Sequence, residues 1–280
     1  MIDTYRDTKQ AFYNAGITPP EYIEVDGRFH RYAQPDKPRS KSSWYILHNT
    51  GRGIAGCAGD FRLNLRQNIV TWKDSAPSAA ECKHTKALLA KSRALAENVR
   101  QTEMEAISRR AQQIWNTAQL ANRSHPYLVR KEIDPFNLRC TSGHLVVPLV
   151  DTEGKLWSIQ TIDASGRKRF LAGGRTKGLF TTVQRATTDV IYITEGIATC
   201  HSVAMYTDVT TVCAFNANNL PIVAKAISDK YPTRRLIIAA DNDEAGISAA
   251  QKAAELTGAE ITTPCTRGMD FNDWLNARAK

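Results

Sequence analysis

The stretch from Val190 to Ala250 constrains the chain more than any other. It reads VIYITEGIATCHSVAMY, then TTVCAFNANNL, then RRLIIAADNDEAGISAA. Short β-branched apolar runs, each closed by an acidic or polar turn, alternate with helix-length amphipathic segments, which predicts β–α–β units built on a parallel sheet. Val190–Thr194 has the composition of a buried parallel strand and stops at Glu195-Gly196, where a helix begins. Leu236–Ala240 is a second such run and stops at Asp241-Asn242-Asp243. Open α/β sheets bind ligands outside the carboxyl ends of their strands. Glu195, Asp241 and Asp243 are therefore the candidate catalytic residues.

Carboxylates gathered at one sheet edge repel and raise one another's pKa unless a cation lies among them. A hard divalent ion such as Mg²⁺ takes oxygen ligands, often a few carboxylates plus substrate phosphates. Asp241 and Asp243 are separated by one residue, so on an extended strand end both face the same side. The plainer alternative makes DNDEAG a helix N-cap, because Asp and Asn are favoured there and acids suit the first helical turn. The matching Glu195-Gly196 upstream favours the metal-site reading.

These motifs carry a family resemblance. Glu195-Gly196 after one strand and Asp241-x-Asp243 after a later one resemble the Toprim domain of bacterial-type primases, topoisomerases and some nucleases. Gly246 after the acidic pair and Met269-Asp270-Phe271-Asn272-Asp273 are similar to Toprim primases of phages and plasmids, as is the basic segment from Gly166 to Gly178. The resemblance covers the chain from Pro126 onward. It implies an α/β fold, α+β over the whole chain, with a Rossmann-like parallel sheet and Asp270 or Asp273 completing the metal shell.

A formal charge of +9 favours a polyanionic partner. Between Asp26 and Lys73, Arg28, Arg31, Lys37, Arg39, Lys41, Arg52, Arg62, Arg66 and Lys73 face only Asp26, Asp36 and Asp60. From Ala164 to Thr188, Arg167, Lys168, Arg169, Arg175, Lys177 and Arg185 face no acid, whereas the segment from Asp241 onward is acidic overall. No apolar run approaches the roughly 20 residues of a membrane span and the N-terminus lacks the order of a signal peptide, so a cytoplasmic protein without membrane association is expected. The six cysteines, at 57, 82, 140, 200, 213 and 265, form no C-x-x-C pair, and no zinc is expected. Cys57 with Cys82-Lys83-His84 is the one alternative metal set, set against plain buried thiols.

Four segments are expected. Residues 1–74 form a β-rich basic module: a helix over Met1–Gly16, then short runs GRFHRY, WYILHN, GIAGCAGDFR and NIVTW around a polar loop at Gln34–Ser43. Arg28, Arg31, Arg62 and Arg66 are its candidate DNA contacts; the interleaved Phe29, Tyr32, Trp44, Tyr45, Phe61 and Trp72 suit either base stacking or a small core. Residues 75–124 are a helical connector, one helix or two over Ser75–Ala121, with Ile107, Ala111, Ile114 and Ala118 as its apolar stripe. Residues 125–186 form a basic antiparallel subdomain, with strands Leu145–Val150 and Leu156–Ile162 around an Asp151–Gly154 turn, and a turn at Asp163–Gly166 leading into the basic cluster. Gly173-Gly174 lets backbone amides approach an anion. Residues 187–280 form the Toprim domain.

Together these features predict a primase that makes RNA primers on a single-stranded DNA template from ribonucleoside triphosphates, with Mg²⁺ or Mn²⁺. Asp241, Asp243, Asp270 and Glu195 would be ligands, Glu195 alternatively the base. Lys168, Arg169, Arg175 and Lys177 would hold triphosphate and template. Asn216 and Asn218, after the strand Thr211–Phe215, would touch a base or sugar or shape the turn. No Walker-type loop is present, so a separate helicase or a conjugation or replication protein would expose the template. The rival readings are a Toprim nuclease and a non-catalytic single-strand-binding protein.

Overall fold

A computed structural model describes residues 4–72, 76–183 and 189–278. Lys73, Ser75 and Arg185, with the expected boundaries at 74/75 and 186/187, lie outside the described residues. The chain forms two compact units, residues 1–102 and 103–280.

In the first unit, helix α1 (Thr4–Asn14) precedes strands β1 (His30–Tyr32), β2 (Ser43–Asn49), β3 (Gly53–Asp60) and β4 (Leu65–Trp72), an antiparallel sheet in order β1-β2-β3-β4. The chain leaves α1 through Gly16, whose φ of +72° a side chain would strain. Strand β3 is buried along its whole length, and five of its eight residues are the small Gly or Ala that such a position accommodates. One sheet face packs Tyr45, Leu47, Ile54 and Ile69 around Phe12 of α1. The other packs Trp44, Ile46 and Cys57 against Ala96 of helix α2. The aromatics left open by the sequence are thus mostly core here: Trp44 and Tyr45 are buried.

Helix α2 (Ala79–Thr117) is a single helix. Ser78 starts it: its hydroxyl accepts from the Glu81 amide at 3.3 Å while the Glu81 carboxylate accepts from the Ser78 amide at 2.7 Å, a reciprocal capping box. The helix therefore begins after the Ser75–Pro77 expected from the sequence and ends before Ala121.

In the second unit the C-terminal part of α2 lays Ala111 and Ala118, with Ile114 and Trp115, on Val146, Leu156 and Ile159. The expected stripe is a packing face. Strands β5 (Gln119–Leu120), β6 (Arg139–Thr141), β7 (His144–Val150), β8 (Leu156–Ile162) and β9 (Lys168–Phe170) form an antiparallel sheet in chain order. Helix α3 (Pro126–Lys131) precedes β6, with His125 as N-cap. Strands β10 (Thr181–Val183), β11 (Val190–Thr194), β12 (Thr211–Cys213), β13 (Arg235–Ala239) and β14 (Glu260–Thr262) form the second sheet, ordered β10-β12-β11-β13-β14, parallel except for β10. Helices α4 (Ile197–Thr207), α5 (Leu220–Lys230), α6 (Glu244–Thr257) and α7 (Phe271–Arg278) complete it. The hydrophobic runs of β11 and β13 are buried because helices cover both faces: α5 and α6 pack on Ile193 and Ile238, and α4 packs Ile197 and Cys200 with Cys213 on the other side. The architecture is α/β. Among the described residues no helix is long and apolar enough to cross a membrane.

Candidate active site

Parallel register aligns Thr194 of β11 with Ala239 of β13, so Glu195 and Asp241 emerge at the same carboxyl edge. Gly246 lets α6 start against this edge: a Cβ there would stand 2.6 Å from the Asp241 carbonyl oxygen. Asn242 ties the edge to the 264–269 loop, donating its side-chain amide to Pro264 O at 2.8 Å and its backbone amide to Met269 O at 3.0 Å. That loop delivers Asp270 beside Asp241.

The electrostatics of the edge are those of mutual repulsion. Burial, with Asp270, Glu195 and Asp243 close by, pushes the Asp241 carboxyl up to about 7, against a smaller opposing pull from Lys168. Its Oδ1 is buried and has no hydrogen-bond partner. Burial and Asp243 also raise Glu195, while the Ala217 amide and Lys168 pull it down. Two of the acids have local duties as well. Asp243 is the N-cap of α6, its Oδ1 accepting from the Gly246 amide at 2.7 Å, and Asp270 Oδ1 accepts from the Asp273 amide at 2.8 Å at the start of α7. The capping alternative for DNDEAG is thus realised in Asp243, which keeps its second oxygen.

An all-oxygen donor set with an unpartnered buried Oδ1 fits a hard divalent cation. Among the described residues, however, the one trio whose ligand atoms lie within 4.8 Å of one another is Glu24, Asp26 and His30, in the first unit. No three of the four acids at the sheet edge meet that mutual distance, and neither do Cys57, Cys82 and His84.

Strand β9 alternates its side chains. Phe170 meets Phe215 edge to face at 5.9 Å, and Lys168, two residues away on the same face, acts on both Glu195 and Asp241. Arg169 points to the opposite face, and Arg167 is held by Asp163 at 3.1 Å. The basic cluster is therefore divided, with Lys168 as the cation that reaches the acids. Arg175 stacks over Trp157 at 5.2 Å and donates to Lys177 O, while Lys177 and Asn218 are exposed. Asn216 shapes the turn, accepting from the Asn219 amide at 3.0 Å.

Asn219 escaped the sequence reading. It is 5% exposed, accepts from the Gly178 amide at 2.7 Å, and donates to Leu179 O at 2.9 Å and Ala214 O at 2.8 Å. It thereby fastens the basic loop to the end of β12. The only signal for it was its neighbourhood, N-A-N-N, in which nothing distinguishes the buried Asn from the exposed one.

In the first unit Arg28 is exposed beside Asp26, Arg31 lies over the Phe61 ring at 5.3 Å, Arg62 pairs with Asp36 at 3.2 Å, and Arg66 approaches Glu97 at 3.8 Å.

Residues 190–280 match the sequence profile of the Toprim domain. This segment is a Toprim domain. Over most of its length the chain is similar to a DNA primase TraC of Escherichia coli, at 30% identity over 272 residues, and to a second protein of that name and organism, at 28% over 259 residues. The matches cover 89% and 86% of this chain but 25% and 18% of those proteins, so the chain spans about a quarter or less of the length of the relatives it matches. Solved structures similar to it include the primase fragment of the bacteriophage T7 primase-helicase protein, at 13% identity, 89% of this chain, 94% of that chain and TM-score 0.43. Another is the DnaG primase catalytic domain bound to ssDNA, at 12% identity, 63% of this chain, 76% of that chain and TM-score 0.47.

Proposed function

We propose that the chain is the catalytic part of a DNA primase, a nucleotidyltransferase that joins ribonucleotides on single-stranded DNA. The observation that carries this is the acidic sheet edge of the Toprim domain, with Asp241 raised to about 7 and Lys168 facing it, in a relative of DNA primases. Asp241, Asp243 and Asp270, with Glu195, would hold Mg²⁺ or Mn²⁺, which neutralises charge on the attacking and leaving oxygens when bound. Glu195, raised by burial and by Asp243, would serve either as a further ligand or as the base for the 3′-hydroxyl proton. Lys168 neutralises phosphate charge over the acids, and Arg175 and Lys177, on the loop that Asn219 fastens, hold the triphosphate; Arg169 and Asn218 contact the template strand.

Residues 1–74 would contact the template through Arg28, Arg31, Arg62 and Arg66, 75–124 would act as connector, 125–186 would present the basic residues and 187–280 the acids. A cytoplasmic setting and a separate helicase, conjugation or replication protein complete the reading. The test is incubation with single-stranded circular DNA, Mg²⁺ or Mn²⁺ and labelled ribonucleotides, resolved on a denaturing gel. Short labelled oligomers that vanish in Glu195→Gln and Asp241→Asn support the proposal. A shortened template without labelled oligomers identifies a nuclease instead, and neither product a binding protein.

A further inference from the structure

Helix α6 turns Ala249, Ala250 and Ala253 into the core, while Glu244, Ile247, Ser248 and Gln251, spaced i, i+3, i+4 and i+7, share another face. Together with Asp243 and with Arg267 of the 264–269 loop, they line a cavity of about 390 Å³ beside the acidic edge. We propose that this cavity holds one ribose–phosphate unit of the RNA strand, Glu244 accepting from the ribose 2′-hydroxyl and Arg267 pairing with the phosphate. The inference rests on the primase reading, which supplies the strand and its reacting end; the choice of ribose comes from the cavity.

The polar groups of this cavity are accessible and unused. Glu244, Gln251 and Arg267 are exposed, and their side chains and that of Ser248 make no hydrogen bond or ion pair among the described residues. Ser248 differs in this from Thr207 and Thr257, whose hydroxyls each donate to the carbonyl four residues earlier at 2.7 Å. Arg267 is placed by its backbone: the next residue, Gly268, has a φ of +80° and donates its amide to Asn242 O at 2.7 Å. A guanidinium set beside two acids and paired with neither keeps its donors for a phosphate. No aromatic ring lines the space and Ile247 is its one apolar side chain, so a base finds no surface to stack on, and the fit is to sugar and phosphate. Within a DNA strand the sugar offers Glu244 no hydroxyl, and the carboxylate only repels the phosphates. A ribose 2′-hydroxyl is a donor, and acids select ribose at nucleotide sites by accepting from it. The volume lies within the roughly 300–1,000 Å³ of small-molecule sites, which suits one nucleotide unit.

The test measures binding without turnover. A DNA template annealed to a short primer, made once as RNA and once as DNA of the same sequence, is titrated by fluorescence anisotropy with the wild-type chain, Glu244→Ala and Arg267→Gln. The wild type should prefer the RNA-primed template about threefold to tenfold, the effect of one hydrogen bond to a charged acceptor. Glu244→Ala should erase that preference by weakening the RNA-primed complex while DNA-primed binding stays equal or tightens. Arg267→Gln should weaken RNA-primed binding and lower its salt slope by about 1. Both side chains are exposed, so neither variant leaves a buried group unpaired. Equal wild-type affinities, a preference that survives Glu244→Ala, or wild-type affinity in Arg267→Gln overturns the proposal. So does an Arg267→Gln variant that loses only binding of free ribonucleoside triphosphate, which would assign the guanidinium to the incoming nucleotide. A chain that shows the Glu244-dependent preference yet makes no primers would fail the primase reading and leave this site standing; one that makes primers without that preference would do the reverse.

Discussion

At the scale of the residue, Asp241 shows how a site is built against the interest of the fold. Its carboxyl is half-buried among three other acids, one oxygen satisfied by nothing, and its pKa stands near 7. A carboxyl raised in the native state stays protonated there while it ionises in the unfolded chain at about 4, so stability from this group is lost as pH rises from about 4 to 7. Asp241→Asn removes that loss. In chelator at about pH 8 the variant should melt above the wild type, at on the order of 2–4 °C per kcal/mol recovered, and at about pH 5 the difference should shrink. Melting curves across that range check it; a variant that melts lower at alkaline pH would mean the carboxylate is favourably paired. Synthesis should be lost in the same variant, the trade of stability for function expected where charge is concentrated.

At the scale of the element, helix α3 and the start of α7 are joined by contacts of unequal weight. Lys131 Nζ meets Asp273 at 2.7 Å, but Asp273 is exposed, and such ion pairs contribute about 0–1 kcal/mol. Asn272 is fully buried and donates to Lys131 O at 2.6 Å and Ser202 Oγ at 2.8 Å, thereby anchoring the turn that carries Asp270. Lys131→Met should therefore change stability by less than about 1 kcal/mol, whereas Asn272→Ala, which orphans buried groups, should cost about 1–3 kcal/mol. Urea unfolding of the two variants decides the order, and the reverse order would place the anchor in the ion pair. The D-F-N-D motif thus divides its work: its first Asp faces the acidic edge and its Asn is structural.

At the scale of the whole molecule, the +9 charge is what a polyanion meets first. Affinity for single-stranded DNA should fall steadily as salt rises, linearly in the logarithms, and fluorescence anisotropy at several salt concentrations measures the slope; a flat response would leave stacking and hydrogen bonding as the whole of binding. Much of the architecture was legible beforehand. Strands β11 and β8 were bounded at both ends and β7 to within one residue, and the α/β pattern followed from alternating periods, because these signals are local. The acidic turns could be placed at the sheet edge for the same reason: a parallel strand that ends on an acid delivers it there whatever its neighbours do. What no local signal contained was which groups become neighbours. Only the tertiary structure set Lys168 over the acids and Arg169 away from them, chose Asn219 over Asn218 for burial, and left Trp44 Nε1 without a partner. Those outcomes depend on register, burial and contacts between residues far apart in sequence, quantities that the order of residues along a strand does not contain.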